Sequence, residues 1–363
     1  MNWLESIAIV IKLVSGGLFY TSLKTLGQAH ILTISGEYGY FKRSFFLCAV
    51  LFISLSMSLI VYGCMLLTSF RDKVGLNLKA WLRISVPGML DCLGQICTML
   101  GTMMLPISIV LVLKGSRVVF SAILSKLMLK RHLFVYHWCA VIICMLGLTI
   151  ASLSSIFNQF HLRNGLGIGI CLCLFGEFMR SVRMVLEERL MKTFGYNPVA
   201  MIGIEGLVGA VISVPLLGIV DAISGSDEGS YENWSNTIYM LSNSVLAVSL
   251  ISLLPVWINA LYLSGVFVTK MLSAVHNALI TVLTVAVVWG LELLIYYGIS
   301  PEYGHGWGTY SPLQLVGFVF ILVSTLMYDA ILRIPQIFIY PQNLQEAAGI
   351  ANIETETSQS IKV

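Results

Sequence analysis

The chain has 363 residues, 57% of them hydrophobic and 11% charged, and its mean hydropathy is +0.88. A soluble chain of this length would carry roughly 25% charged residues, so the composition excludes an ordinary soluble domain and points to a lipid bilayer. The net charge of +3 is spread over short loops and leaves no basic patch of the kind that binds nucleic acid.

The first element is the apolar run of residues 1–27. It has no basic region ahead of it and holds Lys12 inside it, so it reads as a retained spanning helix and not as a cleaved signal. A spanning helix needs about 20 residues. Ten windows of that length fit, at residues 4–26, 45–67, 84–104, 105–127, 135–153, 166–186, 198–220, 239–263, 269–291 and 312–332. The third and fourth run almost together, with Pro106 at the expected turn, and the eighth and ninth do the same around Gly265. The expected fold is therefore an all-α polytopic membrane protein with ten transmembrane helices.

Five windows lie on each side of the loop 157–165. An odd number of spans per half inverts the second half relative to the first, the plan of secondary transporters with a substrate site near the midplane. This predicts two inverted five-helix repeats, 1–156 and 157–335, followed by a polar, disordered cytosolic tail, 336–363.

Loop charge sets the orientation. With a cytosolic N-terminus, the cytosolic segments carry Arg71, Lys73, Lys79, Arg83, Lys126, Lys130, Arg131, Arg189, Lys192, Lys270, Arg333 and Lys362, and the other side keeps Lys42, Arg43 and Arg163. Twelve against three is a positive-inside bias. The loop 221–238 holds four acids and no basic residue, which suits the lumenal side, and its Asn233-Trp234-Ser235 triplet is a glycosylation acceptor.

The eight cysteines sit mostly in apolar runs and form no CxxC pair, and the six histidines lack metal spacing. No metal or other cofactor is expected. No GxxxxGK[ST] motif is present, so ATP hydrolysis is not the expected drive. No nucleophile arrangement suggests an enzyme.

The informative residues are charges at bilayer depth, which are costly unless they face water, a counter-charge or a substrate. Lys114 and Arg117 are three apart in the fourth window and share a helical face. They form either an anion-attracting cavity surface or structural ion pairs with Asp91, Glu177 or Glu205. Asp91 lies near the middle of the third window with Gln95 one turn on. It either exchanges protons with the cavity or neutralises Lys114. Glu177, Arg180 and Arg183 lie in the sixth window. Glu187 and Glu188 fall toward its cytosolic edge, where a gate or loop anchor pairing with Arg131, Lys192 or Lys270 is expected. Glu205 stands beside Gly206 and Gly209, a setting for close helix contact. Lys12, His276 and Asn277 complete the cavity candidates.

"VPGMLDCLGQICTMLG", "SIVLVLKGSRVVF", "MVLEERL", "IGIEGLVGAVI" and "SGVFVTKMLSA" resemble signatures of the drug/metabolite transporter superfamily, also called EamA-like. Within it they resemble the F group of solute carrier family 35, over roughly residues 81–335. The resemblance implies ten spans and both termini in the cytosol. Asp91 falls on a family Asp, Lys114 falls where the family has Arg before Gly, Glu187, Glu188 and Glu205 fall on family acids, and Lys270 on a family Lys. Leu111, Glu177, Arg183 and Asn277 depart from the pattern. The family also implies an endomembrane location, Golgi or lysosome-like, and suggests nucleotide-sugar-type substrates.

Together these features predict a secondary transporter of a small anionic or zwitterionic organic solute, working by alternating access through exchange or proton coupling. The partners expected are that substrate and the lipid bilayer, with a homodimer left open. A non-transporting membrane scaffold that retains the fold is the alternative.

Overall fold

The computed structural model describes residues 3–68, 77–105, 107–156, 166–301, 304 and 306–333. The loops 69–76 and 157–165, Pro106 and the tail expected to be disordered lie outside the described residues.

The chain is helical almost throughout. Helix α1 (Trp3–Gln28) leads into the antiparallel hairpin β1 (His30–Leu32) and β2 (Tyr38–Tyr40), with His30 opposite Tyr40. Helices α2 (Ser44–Ser56) and α3 (Ser58–Thr68) follow one another across Met57 and together make one span-length rod. Then come α4 (Leu78–Met104), α5 (Ile107–Met128), α6 (Val135–Ile156), α7 (Leu166–Phe194) and α8 (Pro198–Ala222). A short strand β3 (Ser224–Asp227) and helix α9 (Trp234–Ser242) precede α10 (Val245–Met271), α11 (Ala274–Gly298) and α12 (Ser311–Tyr328).

Eight of these segments are long and apolar enough to cross a membrane. Helices α5 and α7, of 22 and 29 residues, are not among those eight. The outer faces are apolar: Leu4, Ile7, Val10, Ile11 and Val14 of α1 are all exposed. The charges are inside, with Lys12, Asp91, Glu177, Arg183, Glu187 and Glu205 buried. Apolar outside and charged inside is the arrangement that hydrocarbon solvent favours.

Several boundaries differ from the sequence windows. Helix α4 starts at Leu78, a turn and a half before the third window, and α7 runs on to Phe194. Gly195, at φ +68, then ends α7 with its N–H on the Met191 carbonyl. Tyr239 belongs to α9, so α10 begins later than the eighth window. The break expected around Gly265 lies instead at Leu272–Ser273, where the Ser273 hydroxyl accepts the His276 N–H and caps α11. Gly265 is within α10 because the Asn277 amide of α11 passes close by; an added Cβ would meet Asn277 Oδ1 at 3.3 Å.

Packing follows the small residues. Helix α4 lies along α7, α6 along α12, α2 along α8, and α1 against α10 and α11. The α4–α7 seam is built from Gly94 and Gly101 facing Gly176 and Gly169. A Cβ on Gly94 would lie 2.9 Å from the Gly176 carbonyl oxygen, and one on Gly176 2.7 Å from that of Gly94. Backbone meets backbone there, as small-residue interfaces in lipid allow.

One end of the bundle is capped. Leu26, Ile31, Phe41, Met240 and Ala247 form a small core beneath the hairpin and α9. The Glu232 carboxylate accepts the N–H groups of Phe45 and Phe46 at 3.0 and 2.8 Å and so caps α2. Arg43 grips Asp227 with two N–H donors, one of them at 2.9 Å.

Candidate functional site

A cavity of about 70 Å³ lies among α1, α4, α5, α7, α10 and α11. Its lining includes Lys12, Tyr20, Asp91, Arg117, Arg180, Arg183, Glu187, Tyr262, Asn277, Thr281 and Thr284.

The wall made by α4 and α7 is an ionic lattice. Close approach at Gly94 and Gly176 brings Asp91 and Gln95 onto the arginine face of α7. Arg180 donates to the Gln95 carbonyl and lies 3.6 Å from Asp91. Arg183 stands among three carboxylates, 3.2 Å from Asp91, 2.6 Å from Glu187 and 3.0 Å from Glu205 of α8. Arg117 of α5 pairs with Glu177 at 2.5 Å. One oxygen each of Asp91, Glu177, Glu187 and Glu205 lacks an aligned donor. A buried network left partly unsatisfied is costly, and a solute, a proton or a rotation of the guanidinium would relieve it.

The opposite wall is made by α1 and α11. The Lys12 ammonium donates to the Asn277 carbonyl at 2.6 Å, to Asn277 Oδ1 and to Thr281 Oγ1 at 2.7 Å. Asn277 is held in turn by donating to Thr269 Oγ1 at 2.8 Å. Every partner of Lys12 among the described residues is neutral.

The structure therefore brings together Asp91, Gln95, Arg117, Glu177, Arg180, Arg183 and Glu205, with Asn277 across the cavity. Glu187 joins them and is not at an edge, because α7 continues almost two turns beyond it. That changes the charge count. Arginines 117, 180 and 183 meet four acids at this level, Asp91, Glu177, Glu187 and Glu205.

Lys114 is half-buried outside the lining, its ammonium 5.8 Å from the Tyr20 ring centroid. His276 is not in the cavity either. It spans Ser273 at 2.6 Å and Asp329 at 2.7 Å at the end of the bundle opposite the cap. Glu188 lies at that same end and pairs with Lys192 at 2.7 Å and Arg131 at 3.4 Å. Lys270 is exposed and makes no ion pair among the described residues. Asn233 caps α9 by accepting the Asn236 N–H at 2.9 Å.

Sequence reasoning did not find Tyr20, Tyr262, Thr281 or Thr284. A signal existed for the threonines, which follow Asn277 at i+4 and i+7 and so share its face. Nor did it find Glu292, which meets Lys24 of α1 at 2.6 Å near the capped end. No group of three or more His, Cys, Asp or Glu suited to a metal occurs among the described residues.

Comparison with known proteins places this arrangement. Over 254 residues the chain is 26% identical to Solute carrier family 35 member F6 of Rattus norvegicus and 25% identical to that of Homo sapiens. The match covers 66% of this chain and 65% of the rat protein's length. An uncharacterised protein of Schizosaccharomyces pombe is 24% identical over 265 residues, 72% of this chain and 78% of its own. A protein of known crystal structure superposes with a TM-score of 0.59 over 90% of this chain and 97% of its own, at 14% identity, a likeness of fold alone. The named relatives are solute carriers and not enzymes. The pattern of the Triose-phosphate Transporter family matches residues 41–288, well over half of the sequence. The chain is an integral membrane protein that belongs to the Triose-phosphate Transporter family of the drug/metabolite transporter superfamily.

Proposed function

We propose that the protein is a secondary transporter that carries a small charged organic solute by alternating access. The charged cavity between two separate helix walls is the observation that carries this reading. A scaffold would be expected to consume its charges internally. The arginines do pair, but Lys12 faces the cavity with no carboxylate partner among the described residues.

The reading includes ten spans in two inverted repeats, with the α2–α3 rod counted as one span and α5 and α7 included. Packing supports it. If α1, α2–α3, α4, α5 and α6 are exchanged with α7, α8, α10, α11 and α12, the α4–α7 contact becomes α10–α1 and α5–α7 becomes α11–α1, while α6–α12 and α2–α8 map onto themselves. Each of these contacts is present. The capped end is assigned to the lumen of an endomembrane compartment and both termini to the cytosol, on loop charge. Asn233 is then a lumenal glycan acceptor, its Oδ1 engaged in the helix cap and its Nδ2 without a hydrogen bond among the described residues. On this orientation Lys24–Glu292 closes the lumenal side, and Glu188 with Lys192 and Arg131 closes the cytosolic side.

Counterflow of a metabolite panel in proteoliposomes tests the function. Folded protein that exchanges nothing from the panel would leave the scaffold reading standing. Cysteine labelling at positions 233 and 192 tests the orientation, and modification of both from one side would overturn it.

A further inference from the structure

Resting on the transporter reading, we propose that Glu187 and Glu205 share one proton and that this proton is the coupling ion, taken up and released together with a small monoanion.

Two carboxyl groups from different helices meet beside the cavity. Glu187 of α7 is in the lining, and Glu205 of α8 stands behind it. They are 1% and 2% exposed. Their carboxyls hydrogen-bond each other, which two acceptor-only carboxylates cannot do without a proton between them. Arg183 does not replace that proton. Its single Nε–H goes to Glu205 at 3.1 Å, and Glu187 Oε1, 2.6 Å from the same nitrogen, receives no aligned hydrogen. Asp91 reaches the same guanidinium from α4 at 3.2 Å, and its Oδ1 also lacks an aligned donor although the side chain is buried. Three carboxyls thus converge on one arginine, with oxygens left over that a proton satisfies. The other groups facing the pair are Arg180 on α7, Arg117 on α5, Tyr262 on α10 and, across the cavity, Tyr20 and Lys12 on α1. Helices α2, α3 and α9, which pack on α8, carry no Asp, Glu, Lys, Arg or His. Helix α11 presents Asn277, with His276 and Glu292 toward its two ends. Lys114 lies outside the lining.

The charge count couples this proton to a solute. Arg117, Arg180 and Arg183 are positive. With one proton on the pair, Asp91, Glu177 and the pair supply the same number of negative charges, so the α4–α7 wall is neutral. Lys12, on the opposite wall, is then a positive charge among neutral acceptors. Releasing the proton brings the whole set to zero, and so does keeping the proton and binding a monoanion near Lys12. The proton alone, or the anion alone, leaves a net charge in a low-dielectric interior, which is expensive. Each therefore favours binding of the other, and by linkage the preference is mutual. The two neutral forms, with neither and with both, are the pair that a symporter carries across the membrane. On release the O–H bond of the acid breaks, its electron pair stays on the carboxylate oxygen, and the proton leaves through the cavity to water. Uptake is the reverse.

The first measurement needs no solute. Infrared spectra of the purified full-length protein at about pH 7 should contain the C=O stretch of a buried carboxylic acid, shifted in deuterium oxide and missing from both Glu187→Gln and Glu205→Gln. A wild-type spectrum without that band, or a band that both variants keep, overturns the shared proton. Proteoliposomes then test the coupling, with lactate, glycerate, methanesulfonate and inorganic phosphate as anions, choline as a cation and glucose as a neutral solute. The proposal expects an anion to show counterflow, and an acid exterior to drive its accumulation about tenfold per pH unit over protein-free vesicles, at one proton per anion. Glu205→Gln, whose amide keeps a hydrogen bond to Glu187 but releases no proton, should retain anion counterflow and lose the pH-driven accumulation. Misfolding does not produce that split, and the wild-type gradient experiment needs no variant. Wild-type counterflow without accumulation under the gradient, accumulation driven by an acid interior, or counterflow of choline or glucose alone overturns the proton coupling while the transporter reading survives. So does a Glu205→Gln protein that accumulates the anion as the wild type does. Counterflow of no compound at all removes both.

Discussion

The Glu188 carboxylate accepts the backbone N–H of Ala274 at 2.8 Å, so an acid on α7 caps the first turn of α11. The same carboxylate holds Lys192 and Arg131, and Lys192 reaches on to the Leu272 carbonyl at 2.9 Å. Three elements are thereby clasped at one buried side chain. Glu188→Ala should cost about 1–3 kcal/mol, the penalty for leaving a buried donor unpaired. Thermal unfolding of the purified protein reads this. An unchanged melting temperature would show that the clasp is absent in solution.

At the other end, acid should loosen the cap. Burial raises the Asp227 pKa, but Arg43, the Asn233 N–H and the Asn236 amide together outweigh it and hold the group below its ordinary 3.8. A depressed carboxylate stabilises above its unfolded pKa and loses that contribution as the pH falls through the folded value. Glu232, raised above 4.5 by burial despite its two backbone donors, works in the opposite sense and loses stability as the pH climbs past 4.5. Melting curves from pH 7 down to about pH 3 should therefore show an acid-side loss that Asp227→Asn abolishes. If the slope persists in that variant, Asp227 is not its source.

The α4–α7 seam should tolerate no side chain. Gly94→Leu would drive its Cβ against the Gly176 carbonyl oxygen, and overpacking of this kind costs about 1–3 kcal/mol or more. Gly218→Ala on α8, with nothing within 4 Å, should be neutral or slightly stabilising. Folded yield and melting temperature compare the two. Equal behaviour would show that the seam is not close-packed.

The Lys24–Glu292 pair should control access from the capped side. In a Tyr20→Cys background with the exposed Cys64 and Cys171 replaced by Ser, Lys24→Gln should raise the rate of labelling by an impermeant thiol reagent applied to that side. Lys24→Arg should not. Identical rates in all three proteins would remove the pair from any gating role.

Much of the helical plan was legible because it is written in hydropathy. Runs of about 20 apolar residues declare themselves, and the proline after Asn197 marks the start of α8 in the expected place. The turn between α10 and α11 was not legible. Gly265 looks like a breaker, yet it serves as a clearance for Asn277, and only the assembled helices show the difference. The charged residues were legible as a set. Some partnerships were legible too, since Glu188 does meet Lys192 and Arg131 and Arg117 does meet Glu177, one of the acids offered for it; those of Arg183 with Asp91 and of Arg180 with Gln95 were not, because they join distant parts of the chain. Helical periodicity tells which residues share a face of one helix and is silent on which faces meet. The level of Glu187 was misjudged for a simpler reason: the sixth window stopped at 186, eight residues short of the end of α7.

The glycine seam has a mechanical consequence. The main chains of α4 and α7 touch at Gly94, Gly101, Gly169 and Gly176, a contact that leaves little room for sliding and would make the two helices move as a single beam. On the proposed alternating access, Asp91, Arg180 and Arg183 would keep their register on that beam while Lys12 and Asn277, on α1 and α11, move against it, so the stroke would be set by the gap between the two walls and not by a rearrangement within either.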